Sequence, residues 1–272
     1  MKVLWISEWE RLWSRRMVWL MYMAIPLIAW LSARYYAGHN AEVSTSSPEY
    51  TVFGNYPVMG LAEQLMSTFN VFIIMLIVMT VTQEYRSGQM RMILLRAYSF
   101  RRIYLAKWLV VLTALFLFQL AYFAASYLVG YVMFEQTDAV HLFYHDEPVS
   151  NGEAFFYNVG YYAIGFLTLI AVASVMMVIA VWSDTTTVAV GLGVGFLLLM
   201  IFSPSIVSRL IDSFNWSPYW QFLSIFQIQW LGIVSMMADP FLLYFNLSIL
   251  GLYIVLGVGA SYWIFTKQDQ MI

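Results

Sequence analysis

Apolar residues run through this chain in six long blocks, at Met17 to Ala33, Leu61 to Thr82, Ile103 to Phe134, Ala154 to Trp182, Thr187 to Phe202 and Phe241 to Phe265. Each block approaches or exceeds the ~20 residues that a helix needs to cross a bilayer, and the third is long enough to tilt or project. Pro26 lies inside the first block, where neighbouring helices can satisfy the carbonyl it frees. Only Ser183 to Thr186 separates the fourth block from the fifth, which predicts an antiparallel helical hairpin. Between the fifth and sixth blocks lies a mixed polar and aromatic segment, 203–240. Its stretch Tyr219 to Met237 is interrupted by Gln221, Gln227 and Gln229. We read it as short re-entrant helices dipping into the outer leaflet in preference to a seventh crossing. The pattern therefore predicts an all-α integral membrane protein, a single domain over 1–272 built on a six-helix transmembrane bundle.

Composition agrees with the pattern. Hydrophobic residues make up 62% of the chain and charged residues 10%, against about 25% charged in soluble domains. So little charge cannot cover a water-facing particle of this size. Cysteine is absent, which excludes disulfides, thiolate metal sites and a cysteine nucleophile. The first block lacks a following small-residue cleavage site and reads as a retained span.

Charge orients the bundle. With the N-terminus inside, the inner segments hold Lys2, Arg11, Arg15, Arg16, Arg86, Arg91, Arg96, Arg101, Arg102, Lys107 and Lys267, and the outer segments only Arg34 and Arg209. The positive-inside rule then places both termini in the cytoplasm of a multi-pass cell-membrane protein. The outer segment 135–152 has four acids, Glu135, Asp138, Asp146 and Glu147, and no Lys or Arg.

The N-terminal 1–16 is patterned as well. Trp5, Ile6, Trp9, Leu12 and Trp13 fall on one helical face, with Ser7, Glu10, Arg11, Ser14 and Arg15 on the other. Such a helix lies in the membrane interface, either as a generic anchor or as an elbow bracing the first span against a cytoplasmic partner.

The most patterned polar stretch joins the second and third spans on the inner side, at 84–102. Met90, Ile93, Leu94 and Ala97 are spaced as one apolar face of a short helix. Gly88 permits a sharp change of direction before it, and Ser99 is a candidate N-cap for the third span. A short helix held along the membrane between two spans can dock on a partner and pass its motion into the bundle. The order Glu84, Gly88, Leu94-Leu95, Ser99, Arg101-Arg102 and Lys107 resembles the membrane-spanning permeases of ABC-2 type exporters, as does the ending Phe265-Thr266-Lys267-Gln268-Asp269. Ala97-Tyr98 stands where many such permeases carry Pro before the Ser. The match in motif covers about 25 residues, and the match in architecture the whole chain.

That resemblance implies a permease subunit of an ATP-driven exporter in a prokaryotic cell membrane. It implies a second permease chain and separate ABC ATPase subunits that hold the ATP and Mg. The ATPase-coupling residues would be Glu84, Gly88, Met90, Arg91, Ile93, Leu94, Leu95 and Ser99. The chain itself would bind no cofactor, metal or nucleic acid and catalyse no reaction. The cargo would be amphiphilic: a peptide, an antibiotic or a lipid-like molecule. A membrane-embedded enzyme and a secondary transporter are the alternatives. The first would need clustered polar residues at membrane depth, and the second internal repeats with broken helices.

Some residues outside that segment invite chemistry. Glu63, near the outer end of the second span, either lines a translocation path or sits at headgroup level. Glu153 reads as a charge complementing a helix N-terminus. Gly191 and Gly195 are spaced for close helix packing. His141, His145, Asp146 and Glu147 have the look of a metal site but fall in a short loop and read as solvated. Most of the abundant tyrosines and tryptophans are expected in interfacial belts.

Overall fold

The computed structural model describes residues 1–83, 99–137, 139–145, 147–211 and 218–267. Helices α1 (Lys2–Trp13) and α2 (Arg16–His39) are followed by α3 (Tyr56–Thr82), α4 (Phe100–Met133), α5 (Asn151–Trp182) and α6 (Thr186–Ile211). A short 3-10 turn, Pro218–Leu223, leads into α7 (Ile225–Ala238) and then α8 (Pro240–Lys267). Six of these helices, α2 to α6 and α8, are long and apolar enough to cross a membrane. Each overruns its apolar block, most at α2 and α6, because polar and aromatic residues continue the backbone hydrogen bonding beyond the greasy core of the run. Helix α2 runs on through Pro26. Among the described residues there is no strand, only an isolated bridge between Val140 and Val149.

Contacts along the helices show that they alternate in direction. At one end, here called basal, Arg15 reaches Gln83, Thr82 reaches Ala180, and Phe100 packs on Phe265. At the opposite, distal end, Tyr56 packs on Phe134. The interior is led by α3 and α5, whose apolar windows are 67% and 61% buried against 17% for α6 and α8. Helices α5 and α8 cross closely. A Cβ on Gly257 would lie 2.5 Å from Ser174 Oγ and 2.8 Å from its carbonyl carbon, so only glycine fits. The Ser174 hydroxyl also donates to the Tyr253 carbonyl across this contact, at 3.0 Å.

On α6 the close approach falls at Gly193, against Ile74 and Met176, whereas Gly191 and Gly195 are exposed with no neighbour within 4 Å among the described residues. Among the described residues, the Gly191/Gly195 spacing therefore packs no other helix of this chain.

The distal end carries an ordered cap. Helix α5 starts about 16 Å beyond the level of Tyr162, whose hydroxyl donates to the Pro57 carbonyl near the start of α3. Two connections fold over this projecting length. The Asn40 side chain binds both the N–H and the carbonyl of Thr51 (2.8 and 2.7 Å). The Asn55 carboxamide accepts from Val52 N–H at 2.8 Å and donates to the Tyr50 carbonyl at 2.9 Å. Asn158, fully buried, donates to the Gly54 carbonyl at 2.8 Å. Val52, Val140, Leu142 and Ala154 close a small apolar core beneath. Ser150 and Glu153 form a reciprocal capping box at the start of α5, the N-terminal role expected of Glu153.

The segment before α8 enters and leaves from the distal end. Tyr219 packs on Phe241 and Phe245 at the start of α8, and the Leu223 carbonyl accepts from Tyr253 deeper in the bundle. Helix α7 then returns to Asp239. At about 21 Å by helical rise, α7 is shorter than the roughly 30 Å hydrocarbon core.

Candidate functional site

Helix α3 departs from regular α geometry at two places, the π-helical turns Leu65–Phe69 and Val78–Thr82. Such turns leave carbonyls out of step with the i→i−4 ladder and occur often at functional positions. Each is matched here by polar side chains from other helices.

At the basal turn the partner is Lys107 of α4. Its ammonium donates to the Thr80 carbonyl at 2.7 Å and to Glu8 Oε2 at 3.0 Å. Both charged side chains are 2% exposed. Glu8 also accepts from Arg11 at 3.3 Å. A lysine and a glutamate taken out of water together tolerate burial only when paired and further hydrogen-bonded, and here each has more than one partner. Thr82 Oγ1 extends the contact to α5 through the Ala180 carbonyl at 2.9 Å. On the next turn of α4, Tyr104 donates to the Val258 carbonyl (3.0 Å) and bonds Ser261 (2.7 Å) of α8.

Helix α1 presents Leu4, Glu8 and Leu12 to the bundle, spaced four apart on one stripe. The tryptophans flank that stripe. Trp5, Trp9, Trp13 and Trp19 form a chain of ring contacts 5.0–5.6 Å apart, and Trp13 continues it to Tyr22 at 5.0 Å. Glu8, which the tryptophan-centred reading of this helix passed over, sits on the buried line at helical spacing from two leucines. That spacing is the signal that could have found it.

In the distal half, Asn70, just after the first π turn, pairs with Gln229 of α7. Asn70 Nδ2 donates to Gln229 Oε1 at 2.9 Å, Gln229 Nε2 returns to Asn70 Oδ1 at 3.3 Å, and Gln229 Nε2 also reaches Thr168 Oγ1 at 3.2 Å. All three residues are fully buried. Gln229 interrupts an apolar segment in sequence because it binds two spans rather than solvent. Asn246 of α8 lies beside Gly232, fully buried, with no hydrogen-bond partner for its carboxamide among the described residues.

The sequence-predicted residues fall as follows. Glu84, Gly88, Met90, Arg91, Ile93, Leu94 and Leu95 lie outside the described residues. Ser99 holds the N-cap position of α4 with an extended backbone (ψ 145°), but its side chain makes no cap hydrogen bond. Its carbonyl accepts from Arg102 and Ile103 instead, at 2.9 and 3.2 Å. Glu63 is exposed on α3, about 10 Å along the helix from Tyr56. Its carboxylate accepts from Ser32 of α2 at 3.2 Å. The histidines are spread out: His39 stacks on Tyr35, His145 packs against Tyr157, and the His141 carbonyl accepts from Asn55. Among the described residues no group of three or more His, Cys, Asp or Glu side chains could hold a metal ion.

Six helices able to cross a membrane, with hydrogen-bonded polar groups buried between them, define a multi-pass membrane protein. The chain belongs to a family described as proteins of unknown function, DUF2705, which it matches over residues 18–271. No curated protein matches it.

Proposed function

We propose that this chain is the membrane-spanning subunit of an ATP-driven exporter of the ABC-2 type, working with a second permease chain and with separate ATPase subunits. The observation that carries the reading is the anchoring of the described residues on either side of the segment 84–98. The described part of the helix entering it reaches Gln83, held by Arg15 next to α1. The helix leaving it is pinned by Lys107 to α3 and α1, and by Tyr104 to α8. A push on such a loop would move four helices as one body. That is what a coupling helix requires, and a loop whose charges serve only orientation would not need it. In this reading both termini and the basal end face the cytoplasm of a prokaryotic cell, α1 is the interfacial elbow, and 218–238 is a re-entrant segment in the outer leaflet. Glu63, exposed at membrane depth beside Ser32, faces the translocation path between two permease chains. ATP and Mg are held by the ATPase, and the cargo is an amphiphile. The test is a purified permease–ATPase complex in which Gly88→Pro and Leu94→Asp are compared with the unmodified chain. Loss of substrate-stimulated ATP hydrolysis with assembly intact is expected; full transport by both variants would refute the coupling role.

A further inference from the structure

Helices α4 and α5 are longer than a membrane crossing. Charged residues mark their basal limits, Arg102 near the start of α4 and Asp184 just beyond α5. A hydrocarbon core of about 30 Å takes roughly 20 residues of straight helix. Counted from those limits, the core ends near Tyr122 on α4 and Ile164 on α5. The two counts agree, because Phe123 meets Tyr162 at 4.6 Å. By helical rise, Phe156 lies about 9 Å farther out, and Tyr131 and Val132 about 12–14 Å. Headgroups add only about 5–8 Å on each side, so these three side chains stand in water.

They are far from covered. Phe156 is 76% exposed, Val132 81% and Tyr131 61%, and Leu128 continues their stripe on α4 at 71%. A row of ring contacts 5.7–6.1 Å apart joins the two helices, running Tyr131, Phe53, Tyr127, Phe155, Phe156. Phe53 is held in the row by its N–H, which donates to the Glu135 carbonyl at 3.1 Å. A continuous apolar face of this kind in water marks an interaction surface. Exposed carboxylates flank it at both ends: Glu135 follows Tyr131 by four residues, and Glu153 precedes Phe156 by three. No Lys or Arg occurs in 35–83 or in 108–208, the stretches that build this end of the molecule.

We propose that this distal face docks a cationic amphipathic helix of another polypeptide, with its apolar side on the ring row and its Lys or Arg side chains against Glu135 and Glu153. An amphipathic helix laid on an apolar face is a recurrent mode of peptide recognition, and the charge of the rim selects the basic kind. Lipid does not cover the face, because it stands beyond the headgroups. A second copy of this chain would bring like carboxylates together, which is repulsive. The site is independent of the export reading, since docking here needs neither ATP nor an ATPase.

The purified chain in phosphatidylcholine nanodiscs is titrated with a fluorescent five-turn amphipathic peptide of Leu and Lys, and in parallel with its counterpart carrying Glu for every Lys. Empty nanodiscs give the lipid background. Above that background the Lys peptide should bind several-fold more tightly than the Glu peptide, and the advantage should shrink as salt is raised. Phe156→Ser combined with Val132→Ser, both at exposed positions, should weaken binding of the Lys peptide several-fold. Glu135→Lys should weaken it as well, and keeps the test available if the double variant does not fold. Equal binding of the two peptides, no binding above empty nanodiscs, or binding unchanged in these variants overturns the proposal. So does Phe156→Cys forming a disulfide with a second copy, or being labelled by a photoreactive acyl chain, since either gives the face another occupant.

Discussion

Lys107 and Glu8, ninety-nine positions apart in sequence, meet 3.0 Å apart with both side chains almost completely buried. The lysine donates to the Thr80 carbonyl inside the π turn Val78–Thr82, and the glutamate neutralises it there. This pair joins the N-terminal helix to the roots of the loop on which the functional proposal rests.

Lys107→Met or Glu8→Gln alone should each destabilise the protein, by up to about 3–5 kcal/mol, because a buried charge loses this partner. The double variant Glu8→Leu/Lys107→Met should be closer to the parent than either single change. Thermal unfolding in detergent, followed by size-exclusion chromatography, checks both statements. Additive losses in the double variant would show that the two groups are not coupled.

Gln229→Leu should cost about 1 kcal/mol, in line with the small average worth of interhelical hydrogen bonds in membranes. A cost of that size would raise transient opening of α7 about fivefold. The chain has no cysteine, so one introduced by Ser235→Cys is a clean reporter. Its labelling rate by a membrane-impermeant maleimide should rise in the Gln229→Leu background. An unchanged rate would mean that the amide pair does not hold this helix down.

Two glycines of α8 should respond in opposite ways to alanine. Gly257→Ala drives a methyl against the Ser174 backbone and should cost about 1–3 kcal/mol as overpacking. Gly259 has nothing within 4 Å, so Gly259→Ala should be stabilising by about 0.5–1 kcal/mol through the lower chain entropy of alanine. Melting temperatures of the two variants decide this directly.

Orientation is tested by single cysteines at positions on opposite faces. Glu42→Cys should react with an impermeant reagent in intact cells, and Lys2→Cys only after permeabilisation. The reverse pattern would turn the basal end outward and remove the cytoplasmic placement of 84–98.

The six spans were legible because each is a long, predominantly apolar run, and lipid solvates a helix whatever it packs against. The runs located the helices to within a few residues at most ends and underestimated α2 and α6, which continue into aromatic and polar sequence. The capping box at Ser150 and Glu153 was half legible, since it is local. The buried polar contacts were not. Glu8 with Lys107 and Gln229 with Asn70 are separated by 99 and 159 positions, and helical periodicity names a face without naming what meets it. Gly191 and Gly195 show the same limit: their spacing marks a smooth face but does not say which helix uses it. The segment proposed to couple, 84–98, was read from its own order of residues and lies outside the described residues, which show only the contacts on either side of it.

The most direct measurement is a cross-link from the proposed coupling segment itself. Leu94→Cys, introduced into the chain in its native membranes and treated with a short bifunctional thiol-to-amine reagent, should be labelled from the cytoplasmic side. It should capture a polypeptide that binds and hydrolyses ATP, identified by mass spectrometry of the adduct. Labelling of Leu94→Cys from the outside, or cytoplasmic labelling that captures no ATP-hydrolysing chain, would contradict the account.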